Sequence, residues 1–213
     1  MQTNWNENRI VLHGRVEAVP MVSHMNHGEE FSTFPLCASR LSGVEDRLNV
    51  VVSDTLLKEC PLKAGDEITV YGEVRSFNNK SGVGSRLVIT VFARELRREQ
   101  AEDENALELA GTLCKAPVYR RTPLGRDICD MMLAVNRRYG RSDYLPCIAW
   151  GSLAHRCAEK TTGDRMGLSG RLQSRSYQKR VQEQTFERTA FEVSVMSLAG
   201  DGEEPYLAFM ASL

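Results

Sequence analysis

Long hydrophobic runs are missing from this chain of 213 residues. No stretch is apolar for long enough to span a bilayer, and no N-terminal apolar segment resembles a signal peptide. Paired cysteines are missing as well: Cys37, Cys60, Cys114, Cys129, Cys147 and Cys157 make no C-x-x-C pair. A one-signed charge excess is missing, with 27 Lys plus Arg against 28 Asp plus Glu, so the total says nothing about a partner. Enzyme signatures are missing too. Pro123-Leu-Gly-Arg126 lacks the Lys-Ser/Thr end of a phosphate loop, and no nucleophile elbow or His-based triad is present. His24-Met-Asn-His27 has no Cys or acid pair at zinc spacing and reads as a polar loop. These absences predict a reduced, soluble, cytoplasmic protein with no membrane partner, no metal, no cofactor and no enzymatic activity, whose cysteines pack as small hydrophobes.

What is present is a repeat. With 42% hydrophobic residues the chain has material for one large core or two small ones. At a spacing of 97 to 102 residues, Asn8 matches Asn105, Gly14 matches Gly111, Pro20 matches Pro117 and Gly28 matches Gly125. Leu36 then matches Leu133, Arg40 matches Arg137, Leu56 matches Leu153, Gly65-Asp66 matches Gly163-Asp164 and Gly72 matches Gly170. After a longer loop, Arg86 matches Arg188 and Val91 matches Val193. Such a period is too long for a solenoid unit and signals duplicated domains. The charged run RREQAEDE, residues 97–104, reads as the joint between them. The expected division is a first domain over 1–98, a linker over 99–104, a second domain over 105–197 and a short tail over 198–213.

Each copy carries the same punctuation. Apolar alternation around a central glycine predicts a first strand at 10–16 and again at 107–113. A Pro- and Gly-containing turn precedes a second strand at 34–39 and 128–136. Third strands fall at 48–52 and 144–150, and short helical segments at 55–60 and 152–160. Gly-Asp turns open fourth strands at 67–75 and 165–177, and fifth strands close the copies at 87–93 and 189–196. The expected fold is therefore all-β: two tandem five-stranded OB-fold barrels, each with a short helix between strands three and four.

The second copy resembles the bacterial single-stranded-DNA-binding protein family over roughly 105–195. The resemblance rests on NALELAGTLCKAPVYRRTPLG, DYLPCIAWGSLAHRCAE and GDRMGLSGRLQSRSY in order and at family spacing. The first copy shares NRIVLHGRV and GDEITVYGEV more loosely. The resemblance implies stacking of bases on four aromatic positions, here Tyr139, Tyr144, Trp150 and Tyr177. The matching positions of the first copy are Ser42, Arg47, Ser53 and Asn79, so that copy is expected to keep its barrel without the stacking platform. It also implies assembly of four such domains, which two-copy chains reach as a homodimer, with the strand over 9–16 as the pairing surface. The alternative is a monomer that imitates the family's dimer internally. The family's acidic, Pro- and Phe-containing tip has only a partial counterpart in DGEEPYLAFMASL, where Phe209 is not terminal. Recruitment of replication or repair proteins by that route is the weaker expectation.

Read without the family, the same residues make a surface for single strands, which takes cations along phosphates and flat rings under bases. Residues 105–197 hold 15 Lys plus Arg against 9 Asp plus Glu, or +6, whereas residues 8–96 hold 10 against 11, or −1. In the fourth strand Arg171, Gln173, Arg175 and Tyr177 share one face, and Leu168, Gly170 and Leu172 the other. In the third, Tyr144 and Trp150 share parity, with Ile148 between them. Tyr139 has the wrong parity and reaches that face only through a bend. Arg120, Arg121 and Arg126 lie in the loop after the first strand, Lys179, Arg180 and Arg188 around the loop after the fourth, and Arg137 at the end of the second strand. All are candidate nucleic-acid contacts. The competing readings are a solvated Arg-rich surface and a Trp150 packed as ordinary core. Two rival functions share the fold: a primosome-like OB module that recruits replication machinery, and an RNA-binding OB protein.

Overall fold

Six strands form in each copy, one more than the alternation pattern announces, because a short hairpin strand exposed at every position carries no apolar period. The computed structural model describes residues 8–79, 85–137, 140–181 and 184–199. In the first copy the order is β1 (Asn8–Val16), β2 (Met21–Asn26), β3 (Glu29–Ser39), β4 (Glu45–Ser53), α1 (Asp54–Glu59), β5 (Glu67–Asn78) and β6 (Leu87–Arg97). In the second it is β7 (Glu104–Leu113), β8 (Val118–Arg121), β9 (Asp127–Asn136), β10 (Ser142–Trp150), α2 (Ser152–Ala158), β11 (Arg165–Val181) and β12 (Gln184–Leu198). Residues 98–103 carry neither helix nor strand.

The extra strands are β2 and β8, in segments read from sequence as turns. The turn that ends β2 places His27 and Gly28 at φ 49° and 80°, positive values at two adjacent residues that suit a tight antiparallel hairpin. His24 is thus part of a strand rather than a loop, and its ring stacks on Phe31 at 5.2 Å. Among the described residues no group of three His, Cys, Asp or Glu could hold a metal ion, and no helix is long and apolar enough to cross a membrane.

Both copies close in the same way. In the first, β1 pairs antiparallel with β5 and again with β3, at Arg15↔Cys37 and Val16↔Leu36. β4 meets β6 in parallel at Val50↔Val91. In the second, β7 pairs with β11 and with β9 at Leu113↔Leu133, and β10 meets β12 in parallel at Cys147↔Val193. A first strand shared between two partners, plus a parallel closure, is the small Greek-key barrel of the OB-fold. The repeat signal now has a physical basis. Leu36 and Leu133 are core, and Val91 and Val193 sit at the two parallel closures. Where strands cross the barrels, a Cβ on Gly14 of β1 would lie 2.2 Å from the carbonyl oxygen of Cys37, and one on Gly170 of β11 would lie 2.2 Å from that of Ser194. Only glycine lets those backbones meet. Gly65 and Gly163 stand at φ 90° and 96°. The amides of Val16 and Leu113 donate to the carbonyls of Asp66 and Asp164 at 2.8 and 2.9 Å.

The repeated arginines have a shared task as well. Arg40 donates through Nε and Nη2 to Asp46 at 2.7 and 2.5 Å. Arg137 makes the same two-pronged bond to Asp143, with Nε to Oδ2 at 2.7 Å and Nη2 to Oδ1. Both aspartates are fully buried. A bidentate guanidinium–carboxylate pair fixes the hairpin between the second and third main strands in each barrel.

Contacts gather the chain into two compact units, one holding Ile10–Asn105 with Gln173–Ala190 and the other Ala106–Leu172 with the residues from 191 on. β11 and β12 therefore each leave one unit and enter the other. β1 is buried at both parities, Val11 and His13 included, and His13 Nδ1 lies 2.9 Å from Thr69 Oγ1.

Candidate nucleic-acid interface

β10 is the centre of the second copy's outer face. Its alternation sends Asp143, Leu145, Cys147 and Ala149 inward, all buried, while Tyr144 is 49% and Trp150 38% exposed. Trp150 is therefore not core. Ile148 shares their parity yet is buried, so the face is apolar in its middle and aromatic at its ends. The register extends this across three strands: Trp150 faces Ile128, which faces Arg120, and Tyr144 faces Ala134. Tyr144 and Trp150 are six residues apart, roughly 20 Å along the strand. Met132 and Pro146, paired across β9 and β10 and each half-buried, form the floor between them.

The cations on this unit are less free than their count suggests. Arg120 pairs with Asp130 at 2.7 Å, and that hydrogen bond, helped by the neighbouring charges of Asp130 and Glu192, holds its guanidinium more firmly charged. Arg121 donates to the Gly125 carbonyl at 3.0 Å and stands 3.5 Å from Asp127. Arg126 is exposed on the hairpin turn. Arg137, also a candidate DNA contact, is bound to the buried Asp143. Arg171 lies on the face of β11 opposite Leu168 and Leu172, which are core as expected, and its Nε is buried with no hydrogen-bond partner.

The remaining candidates fall elsewhere. Arg175 and Tyr177 are exposed on the half of β11 that belongs to the unit with the first copy, the guanidinium 5.9 Å from the Tyr177 ring centroid. Gln173, placed with them on one face by parity, is buried. Lys179 and Arg180 lie in β11 and Arg188 in β12. Tyr139 lies outside the described residues. Tyr144, Trp150, Arg120, Arg121, Arg126, Arg137 and Arg171 share one unit, which does not include Arg175 and Tyr177.

Two features escaped the sequence reading. Tyr119 on β8 is 41% exposed; its hydroxyl donates to Asp127 at 2.7 Å, and its ring lies 5.1 Å from that of His155 on α2. The bond from Tyr119 lowers the Asp127 pKa below the usual carboxylate range and raises that of the phenol. Matching aromatics only to family positions passed over it, although an aromatic beside two arginines was visible in VYRR. The second feature lies in the first copy. At the position matching Trp150, Ser53 caps α1, its Oγ accepting from the Leu56 amide at 3.3 Å. Yet Phe31 stacks under His24 and meets Phe92 at 5.7 Å, and Arg94 lies 4.8 Å over the Phe92 ring. That copy has an aromatic row on other residues, and Phe77 is exposed as well. Its hairpin is not basic: Ser23, His24 and Glu29 stand where the second copy has Arg120, Arg121 and Arg126.

Comparison with known proteins fits this geometry. Residues 104–199 match the model of the "Single-strand binding protein family". Single-stranded DNA-binding protein B of Bacillus subtilis is 36% identical over 81 residues, covering 35% of this chain and 72% of that protein. Single-stranded DNA-binding protein 3 of Clostridium acetobutylicum is 38% identical over 80 residues, covering 34% of this chain and 56% of its own length. This chain thus spans little more than half of the clostridial relative. The single-stranded DNA binding protein from Thermus aquaticus superposes with a TM-score of 0.74 over 93% of this chain and 94% of that one, at 22% identity. At that identity the likeness concerns the fold. With the matched relatives, the barrel closure and the exposed aromatics of β10 taken together, this chain belongs to the single-strand binding protein family.

Proposed function

We propose that this chain binds single-stranded DNA without strong sequence preference, in replication, repair and recombination, by stacking bases on aromatic rings and pairing phosphates with arginines. The observation that carries the reading is the exposure of Tyr144 and Trp150 at the two ends of a face whose centre is apolar. Rings that present a flat side to water beside cations suit unpaired bases, since every base has a π-face. The orphaned Nε of Arg171 supports it, because an anionic oxygen would satisfy a buried donor that otherwise costs stability. The +6 balance of residues 105–197 supports the assignment of the strand to the second copy, with Arg175 and Tyr177 as a further stacking element. The chemistry is binding alone, with no reaction and no cofactor, in the cytoplasm.

Titration with oligo-dT, duplex DNA and oligo-U at two salt concentrations tests the reading. Oligo-dT should bind far better than duplex and quench Trp150 fluorescence. Trp150→Ala or Tyr144→Ala should each cost roughly 1–3 kcal/mol of binding, the range for one stacked base. Equal affinity for duplex and single strand refutes it, and a preference for oligo-U moves it to RNA. A homodimer belongs to the same proposal, through the exposed apolar edge strand β2 (Met21, Val22, Met25) rather than the buried β1, since an unpaired edge invites a second strand. A solution mass near 23.9 kDa rules it out.

A further inference from the structure

Arg175 and Tyr177 lie on the half of β11 that runs on past Leu172. Residues 175–178 are all exposed. Just before them stands a polar anchor. The Ser174 amide donates to Asp46 Oδ1 at 2.8 Å, and the Arg47 amide donates back to Ser174 Oγ at 3.1 Å. Both residues belong to the same compact unit. The acceptor is unusual: Asp46 is fully buried and already takes two hydrogen bonds from Arg40. A carboxylate fixed from one side by a guanidinium is a rigid acceptor, and bonds to an ionised group are the stronger kind. Because side chains alternate along a strand, fixing the backbone at Ser174 also fixes the side to which 175 and 177 point.

We infer that Asp46 is a positioning residue for the proposed DNA contacts: the first copy's buried Arg40–Asp46 pair grips Ser174 and so holds Arg175 and Tyr177 in place. This rests on the single-strand reading above. It assigns the first copy a task that the loss of its four matched aromatics leaves unexplained. The Arg–Asp pair itself is a barrel feature present in both copies; in the first, the carboxylate also accepts from the Ser174 amide.

The test uses the full chain, with hydrogen–deuterium exchange and oligo-dT affinity measured on the same variants. Ser174→Pro deletes the amide donor. Arg40→Met combined with Asp46→Leu deletes the acceptor while keeping the site filled, which guards against simple unfolding of the first barrel. Both should speed exchange of residues 175–181 by about tenfold or more and leave β1 and β5 peptides unchanged. Both should weaken oligo-dT binding roughly three- to tenfold, the net scale of one ordinary hydrogen bond, since the contacts are loosened rather than removed. Ser174→Ala, which keeps the amide, should stay within about twofold of the parent. Unchanged exchange at 175–181 in both variants overturns the inference. So does a loosened hairpin with unaltered oligo-dT affinity in a chain that Tyr177→Ala does weaken. Failure of the underlying reading looks different: the parent chain itself does not prefer oligo-dT, whatever the exchange shows.

Discussion

Replacing Arg137 separates its two assignments, phosphate contact and structural counter-ion. In the folded chain its guanidinium is 26% exposed and its partner Asp143 is 0% exposed. Arg137→Met therefore leaves a carboxylate sealed from water with its two-pronged donor gone. Breaking a buried pair from one side costs about 3–5 kcal/mol, a large share of the roughly 5–15 kcal/mol that holds a domain together. Asp143→Asn should cost less, because Arg137 is a quarter exposed and water can reach it. The double replacement Arg137→Met with Asp143→Leu should recover much of the loss, since neither charge of the pair then remains. Urea unfolding followed by circular dichroism gives the stabilities. Oligo-dT affinity against salt, measured where each variant is folded, gives the second axis. An arginine already neutralised by Asp143 releases no counter-ion on binding, so Arg137→Met should leave the slope of log K against log salt unchanged. Loss of Arg126, exposed on the hairpin turn, should flatten that slope by about 0.7, the value for one phosphate of a single strand. A loss below about 1 kcal/mol for Arg137→Met, together with a flattened slope, would refute the structural role and restore Arg137 to the binding face.

Three further outcomes follow from particular contacts. Gly14→Ala, whose Cβ would meet the Cys37 carbonyl at 2.2 Å, should destabilise by about 1–3 kcal/mol through forced backbone shifts, read as a lower urea midpoint. Thiol labelling of the native chain should modify Cys114 first, because it is exposed, while Cys37, Cys129, Cys147 and Cys157 are buried and wait for unfolding; burial raises the thiol pKa of Cys37, Cys129 and Cys147. Tyr119→Phe removes the main cause of the lowered Asp127 pKa, so carboxyl NMR should show Asp127 titrating higher, nearer the ordinary value. The sign follows: with its folded pKa depressed, Asp127 stabilises the parent above the unfolded value and loses that contribution as pH falls through the folded one. The variant should lack this part of the acid transition.

The sequence by itself determined the barrels, because their requirements are local. Alternating apolar residues make strands wherever they occur, Gly-Asp turns need a positive φ, and Gly14, Gly72, Gly111 and Gly170 repeat because each barrel brings backbones together where a Cβ does not fit. Period-2 parity on β10 likewise announced Tyr144 and Trp150 on one face. What parity could not reach was anything set by a partner distant in the chain. The repeat of Arg40 and Arg137 was visible, but not that each meets a buried aspartate six residues on, since a charged pair leaves no period. The hairpin strands β2 and β8 carry no apolar alternation, so they read as turns. Ile148 has the parity of its exposed neighbours, and only the packing of strands around it puts it inside. The aromatic row of the first copy joins Phe31 to Phe92 across 61 positions, a distance at which no local pattern speaks. The bond from Ser174 to Asp46 spans 128 and exists only because folding returns one hairpin to the other copy's barrel, where a buried carboxylate has a free side.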